Sequence, residues 1–471
     1  MIMTYNGKIG DGASTFDLTH WQQRLDELRI AYRVPGATLA VLTGGNIYEL
    51  ASGVLHRGTR VEATTDSVFQ LGSIAKIYTA TLVMKLVDSG LLDLDTPVKS
   101  VLPEFEVADE EATKTITVRQ LLSHTSGLTC DFNYNSGRGD DCLARYVEAC
   151  KGVALDCPPG TATSYSGIGY TVLGRIAEVL TDLTWDEALK KLVLTPLGLS
   201  KTMTLPEEVL RFRAAMGHLG KAGEEPEPAF SWDPMPRSQG PGGRVCATAS
   251  DVVKLAQMHM NSGTAPDGTR VLRAETVAAM QQCEVIVPDK WTVSSDGWGL
   301  GWTLYNWDGV KGFGHDGASI GQYGYLRAIP EAGVAIALLT NGGGARMLYA
   351  ALFRELLDEL ADVKMPEAFA PAEHPPVVDY MPYIGTYKRE GVIITVTEQE
   401  GKPHLVYEFV DGMKDLSPPL EMELVPVSDT VFAGAGAGPS FNEAWMPVIF
   451  SKLPDGTLYC YIGLRVAPKV S

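Results

Sequence analysis

The chain has 471 residues, 45% of them hydrophobic and 20% charged, with a formal net charge of −18. That length accommodates two or three domains and a sizeable core, and the composition excludes disorder, collagen and repeat arrays. The negative charge speaks against nucleic acid and anionic membrane surfaces, both of which are bound through Lys and Arg.

The first residues, MIMTYNGKIGDGASTF, lack a basic segment followed by an apolar one, so no secretory signal is expected. No run of about 18 or more apolar residues occurs, so no spanning helix is expected either. A cytoplasmic location follows. The seven cysteines fit it as reduced structural thiols, with no Cys-x-x-Cys pair and no His to complete a zinc set. No metal is expected.

In chain order, residues 34–53 read as a hairpin whose turn is Gly44-Gly45-Asn46. A helix apolar around most of its girth starts at Ser73 and is closed by Gly90, which marks it as buried. Helices then alternate with Gly/Pro-rich loops from 117 to about 261, including 168–180 and 249–260. Strands return in GWGLGWTLYNW, GQYGYLRAIP and GVAIALLTN, followed by a helix over 345–360. Strands at both ends with helices between them predict an α+β unit: an antiparallel sheet flanked by helices, with a helical subdomain inserted. Residues 365–376, rich in Pro and Ala, read as a linker between a catalytic domain over 1–364 and a small all-β, barrel-like domain over 377–471.

Ser73 and Lys76 place a hydroxyl and an amine three residues apart on one helix face. Serine needs a neighbouring base to become a nucleophile, and burial disfavours an ammonium, which would free Lys76 for that work. The helix N-terminus adds partial positive charge near an oxyanion. Tyr165, on a loop leading into the helix over 168–180, is placed to relay protons between the two. His315-Asp316-Gly317 precedes the strand GQYGYLRAIP; Gly317 lets the backbone approach a ligand, and the N–H of Ala318 would join that of Ser73 in an oxyanion hole. Against these readings stand a snorkelling lysine, an ordinary packed tyrosine and a satisfied loop histidine.

The ordered blocks QLGSIAKIYTATLVMKLVDSGLLDLDTPV, LLSHTSGL, PGTATSYSGIGYTVLGRIAEVL and GFGHDGASIGQYGYL resemble the penicillin-recognising serine enzymes, over roughly residues 18–362. The resemblance is closest to the class C branch of β-lactamases, DD-peptidases, D-aminopeptidases and related carboxylesterases. It implies the β-lactamase/transpeptidase-like fold and an acyl-enzyme at Ser73, with Lys76 and Tyr165 sharing the protons. It also puts His315 in the place of the family's third-motif lysine. The family's Tyr-x-Asn is here Tyr165-Ser166-Gly167, so Gly167 stands where Asn would hold a substrate amide. That departure and the His in place of Lys tilt the expectation from β-lactams towards an ester or thioester, within acyl-enzyme chemistry on an ester, thioester or D-amino-acid amide. The added β domain, lipocalin-like, resembles that of D-stereospecific peptidases and of penicillin-binding-protein-type thioesterases, which cyclise or hydrolyse nonribosomal peptides. Arg465 in that domain is expected to hold a substrate carboxylate, or else to be a surface arginine. The expected partner is a small molecule or short peptide, without a cofactor, and a homo-oligomer stays open. Two other readings compete. One is a catalytically silent binding protein of the same fold. The other is an α/β-hydrolase elbow at Gly317-Ala318-Ser319-Ile320-Gly321, which would need a helix where a strand is expected.

Overall fold

The strand Gly36–Thr43 (β1) is apolar on both faces and buried along almost its whole length, as expected of a strand covered from both sides. It turns back into Asn46–Gly53 (β2) through Gly44 and Gly45 alone, with φ of 56° and 79°; Asn46 already belongs to β2. The other neighbour of β1 comes from far along the chain: Ala37 lies opposite Thr340 and Leu39 opposite Leu338 of the strand Val334–Thr340 (β8). The strands Val285–Ile286 (β3), Gly297–Trp298 (β4), Thr303–Trp307 (β5), Val310–Ser319 (β6) and Gln322–Ile329 (β7) complete an antiparallel sheet in the order β2-β1-β8-β7-β6-β5-β4-β3. The structure, a computed structural model, describes residues 16–471 except 131, 133, 222, 415–417 and 436–444.

One face of the sheet carries the helices Leu18–Ala31 (α1) and Ala345–Ala361 (α5), packed through Trp21, Leu25, Leu352 and Phe353. The other face carries Ala75–Asp88 (α2), Ile168–Thr181 (α3) and Ala249–Met260 (α4). Helix α2 buries eleven of its fourteen residues, and Gly90 follows it with φ of 72°. Ser73 sits just outside α2, in a 3₁₀ turn over Gly72–Ile74.

The C-terminal strands run in sequence: Gly385–Arg389 (β9), Val392–Gln399 (β10), Lys402–Phe409 (β11), Leu420–Pro426 (β12), Val431–Ala435 (β13), Trp445–Lys452 (β14), Leu458–Ile462 (β15) and Arg465–Pro468 (β16). Tyr387 of the first strand meets Lys469 just beyond the last, which brings the two edges together into a nearly closed barrel. Alternation gives the barrel its own core, including Tyr387, Ile394, Phe432 and Phe450. A further apolar layer joins barrel to sheet, with Tyr459, Tyr461, Leu464 and Val466 packed around Tyr165, Cys157 and Trp298.

Candidate active site

Two glycines bring the first site elements together. A Cβ on Gly72, whose φ is 52°, would stand 2.5 Å from the Ala318 nitrogen, and one on Gly317 would stand 1.9 Å from the Leu71 oxygen. Only residues without a side chain let strand β6 touch the Ser73 turn backbone to backbone. His315 therefore lies within a strand, β6, and not in the loop expected from its sequence. The Ser319 elbow also fails: the chain reverses at Gly321, φ 66°, straight into β7.

Lys76 is buried in the first turn of α2, at 3% exposure. Its Nζ lies 3.4 Å from Ser73 Oγ and donates to the Gly242 carbonyl at 2.8 Å. The same nitrogen stands 4.8 Å from the Tyr165 ring centre and 5.5 Å from that of Tyr170. Tyr165 hangs on the turn before α3. There Ser166 Oγ accepts the Gly169 N–H of the first helical turn at 3.0 Å. The Tyr165 and His315 rings are 6.4 Å apart.

Burial, then the nearby Lys76 charge, push the His315 pKa down from 6.5 to about 4, so the ring is neutral at pH 7. Its Nδ1 faces the Asp316 carbonyl, which assigns the proton to Nδ1 and leaves a lone pair on Nε2. Both His315 Nε2 and Tyr165 Oη are buried without a hydrogen-bond partner among the described residues. Orphaned buried polar atoms are uncommon and costly, and both of these residues line the cavity described next.

That cavity, about 450 Å³ in volume, opens over Ser73. Tyr165, Trp298, His315 and Ala318 wall it on one side, and Tyr407, Phe409 and Arg465 of the barrel on the other. Arg465, half-buried, thus lines the site. It donates to the Gly463 carbonyl at 2.7 Å, approaches Cys130 Sγ at 3.1 Å and lies 5.7 Å from the Tyr165 ring centre. Gly167 is absent from the cavity wall, because it is packed against Cys130, whose carbonyl a Cβ there would approach to 3.1 Å.

Three contributors escaped the sequence reading. Gly242 acts through a main-chain carbonyl, which no side-chain motif announces. Trp298 was legible only as part of a strand. His124, buried behind Tyr165, lies in the LLSHTSGL block, which carried resemblance but no role.

The sequence profile of the Beta-lactamase family matches residues 21–359. The chain is 60% identical over 376 residues to penicillin-binding protein 4 of Amycolatopsis lactamdurans, covering 80% of this chain and 99% of that protein. Its fold superposes on SurE with a TM-score of 0.77 at 28% identity, covering 96% of this chain and 99% of SurE, which has also been solved with D-Leu. The octameric penicillin-binding protein homologue of Pyrococcus abyssi shares the fold, with a TM-score of 0.63 at 22% identity over 96% of this chain and all of that one. The fold expectation of a β-lactamase-like unit with a C-terminal barrel is borne out, and the chain belongs to the beta-lactamase family of serine hydrolases.

Proposed function

We propose that the protein is an acyl-enzyme hydrolase or acyltransferase that loads Ser73 with the acyl group of an ester, thioester or D-amino-acid amide. The observation that carries this reading is Lys76 Nζ at 3.4 Å from Ser73 Oγ, with the Tyr165 ring beside the same nitrogen. Ser73 Oγ attacks the carbonyl carbon while its proton passes to the free-amine form of Lys76, with Tyr165 sharing the transfer. The oxyanion takes the N–H groups of Ser73 and Ala318. The carbon–heteroatom bond breaks as Tyr165 Oη delivers the proton to the leaving group. Water or an amine then attacks the ester on Ser73, giving up its proton by the same route. The neutral His315 offers Nε2 as an acceptor, for a substrate N–H or for the Tyr165 hydroxyl, where a lysine would offer charge. Arg465 supplies the cation for a substrate carboxylate. No cofactor is needed in this scheme.

SurE, 28% identical, solved with D-Leu and sharing both the sheet and the barrel, supports a D-configured acyl or acceptor group. Arg465 at the wall of the cavity provides a partner for a carboxylate of either configuration. The finer alternative, cyclisation of a peptidyl thioester, has an amine of the substrate itself as the second nucleophile. A β-lactam reading rests on the 60% identity to a protein named for binding penicillin. Among the described residues no helix is long and apolar enough to cross a membrane. Seven free thiols, five of them buried, suit work in the reducing cytoplasm.

The test is a panel of D- and L-amino-acid p-nitrophenyl esters and amides, peptidyl thioesters and nitrocefin, run on the wild type and Ser73→Ala. The wild type should prefer D-substrates and form an adduct on Ser73 visible by mass spectrometry. The Ser73→Ala chain should lose both turnover and labelling by fluorescent penicillin or fluorophosphonate. Turnover in Ser73→Ala would end the proposal. The absence of both adduct and turnover in the wild type would establish a silent binding protein instead.

A further inference from the structure

The segment carrying Tyr165 is gripped at three successive N–H groups. Ser164 N donates to the His124 carbonyl at 2.9 Å, Tyr165 N to the Leu464 carbonyl at 2.9 Å, and Ser166 N to His124 Nδ1 at 3.1 Å. Two of the three acceptors belong to one residue. His124 is fully buried, holds a left-handed backbone with φ of 58°, and sets its ring 4.4 Å from that of Tyr165 and 4.9 Å from that of Trp298. A non-glycine residue kept in that conformation is strained, and persists where the surroundings over-determine it.

We infer that His124 is a positioning residue, a neutral imidazole whose Nδ1 lone pair and main-chain carbonyl bracket Tyr165 and hold its phenol at the Ser73–Lys76 pair. The inference rests on the functional reading above, in which Tyr165 moves the protons.

The chemistry of the ring fits this use. An Nδ1 that accepts an N–H cannot carry a proton, so the single ring hydrogen sits on Nε2. That Nε2 is buried and without a partner among the described residues, so the ring is held for its other nitrogen. Burial, then the facing basic groups Lys76, His315 and Arg465, push its pKa well below the ordinary 6.5. Protonation would turn Nδ1 into a donor aimed at another donor, the Ser166 N–H. Beside Lys76 and Arg465, His124 therefore stays an acceptor.

The test separates His124→Asn from His124→Gln in the full-length chain. Asparagine places an oxygen near the position of Nδ1 and tolerates left-handed backbone, whereas glutamine carries its polar atoms further out, near the position of Nε2. Both remove the ring. Kinetics are read with a D-aminoacyl p-nitrophenyl ester, below the melting temperature of every variant. Misplacing a proton-transfer group by about 1 Å costs on the order of 10²-fold, so His124→Gln and His124→Ala should lose about that factor in kcat with KM nearly unchanged. His124→Asn should recover most of the loss. Equal kcat in the Asn and Gln variants, or a loss confined to KM, would overturn the inference. Ser73→Ala runs alongside: its full activity would sink the functional reading itself, whereas a dead Ser73→Ala with equal Asn and Gln variants sinks only the role of His124.

Discussion

In the barrel every strand pairs with its neighbour in the chain, from Gly385–Arg389 round to Arg465–Pro468. In the catalytic sheet β1 pairs with β8, so Ala37 stands against Thr340. The first arrangement is assembled from local hairpins, and the second requires a long loop to close before its contacts form. The catalytic chemistry sits on the second. The proposed nucleophile and base come from one turn and helix, the tyrosine from a loop some 90 residues later in sequence, and the oxyanion donor from β6. The barrel meets that assembly through the apolar layer of Tyr459, Tyr461, Leu464 and Val466, the hairpin tip Gly463–Leu464, and the walls around Tyr407 and Phe409. The long-range sheet builds the reacting geometry, and the locally folded barrel bounds the space in front of it.

If that division is right, a methyl group that drives β6 from the Ser73 turn should be ruinous to the rate, and one at an open turn of the barrel nearly silent. Gly317→Ala would force its Cβ to 1.9 Å from the Leu71 oxygen, a backbone atom that cannot swing aside. Strand β6 must then leave the Ser73 turn, and kcat/KM should fall by about 10²-fold or more. Gly401→Ala in the barrel, with φ of 77° and nothing within 4 Å of the new Cβ, should cost about 1 kcal/mol of backbone strain and leave kcat alone. Comparable kcat losses in the two variants would dissolve the contrast.

Acid should also discriminate. The buried histidines His124, His218, His259 and His315 all lie in the sheet-and-helix unit, and burial lowers each of their pKa values. A histidine with a depressed folded pKa binds its proton more readily when unfolded, so stability falls as pH drops below the ordinary 6.5, towards the folded value. For His259, pushed down to about 3, the loss at pH 5 is about 2 kcal/mol. Glu178 and Asp289, raised by burial, act with the opposite sign. The clean measurement is therefore the difference between wild type and His259→Gln in denaturant melts at pH 7 and pH 5. The variant should lose about 2 kcal/mol less over that interval. Parallel pH slopes would refute the assignment.

The legibility of each unit follows the same contrast. The barrel was legible as a small all-β domain, through strand-like runs such as VIITVTE and HLVYEFV, and not strand by strand. The helices α2, α3, α4 and α5 were visible within a residue or two from apolar periodicity. Strand β6 was not, because VKGFGHDGAS contains three glycines, the mark of a loop by propensity. Those glycines are there for close approach: Gly314 would set a Cβ 2.0 Å from the Leu326 oxygen, and Gly317 meets Leu71. Of the site, Ser73, Lys76 and Tyr165 could be read as side-chain chemistry in order along the chain. The Gly242 carbonyl and the Leu464 carbonyl could not, since a main-chain acceptor leaves no trace in residue type. Gly167 misled for a related reason. Its missing side chain looked like a vacancy in the substrate wall, yet Cys130 fills that space.

The smallest effect concerns the place where the two units touch. Leu464 holds φ of 69° at the hairpin tip, its side chain is packed in the layer between barrel and sheet, and its carbonyl accepts from Tyr165. Leu464→Gly relieves the left-handed strain, worth about 1–2 kcal/mol, but gives up about 2 kcal/mol of side-chain burial, so stability should shift little. Leu464→Val keeps most of the apolar surface, yet a β-branched residue resists positive φ. The tip should then open, and its carbonyl should leave the Tyr165 N–H. The variants part in rate while stability stays close: kcat of Leu464→Val should fall below that of Leu464→Gly by about tenfold, the equivalent of one misdirected hydrogen bond of about 1.4 kcal/mol. Equal rates would mean that the barrel bounds the cavity without helping to aim the tyrosine, and the grip on Tyr165 would then belong to His124 alone.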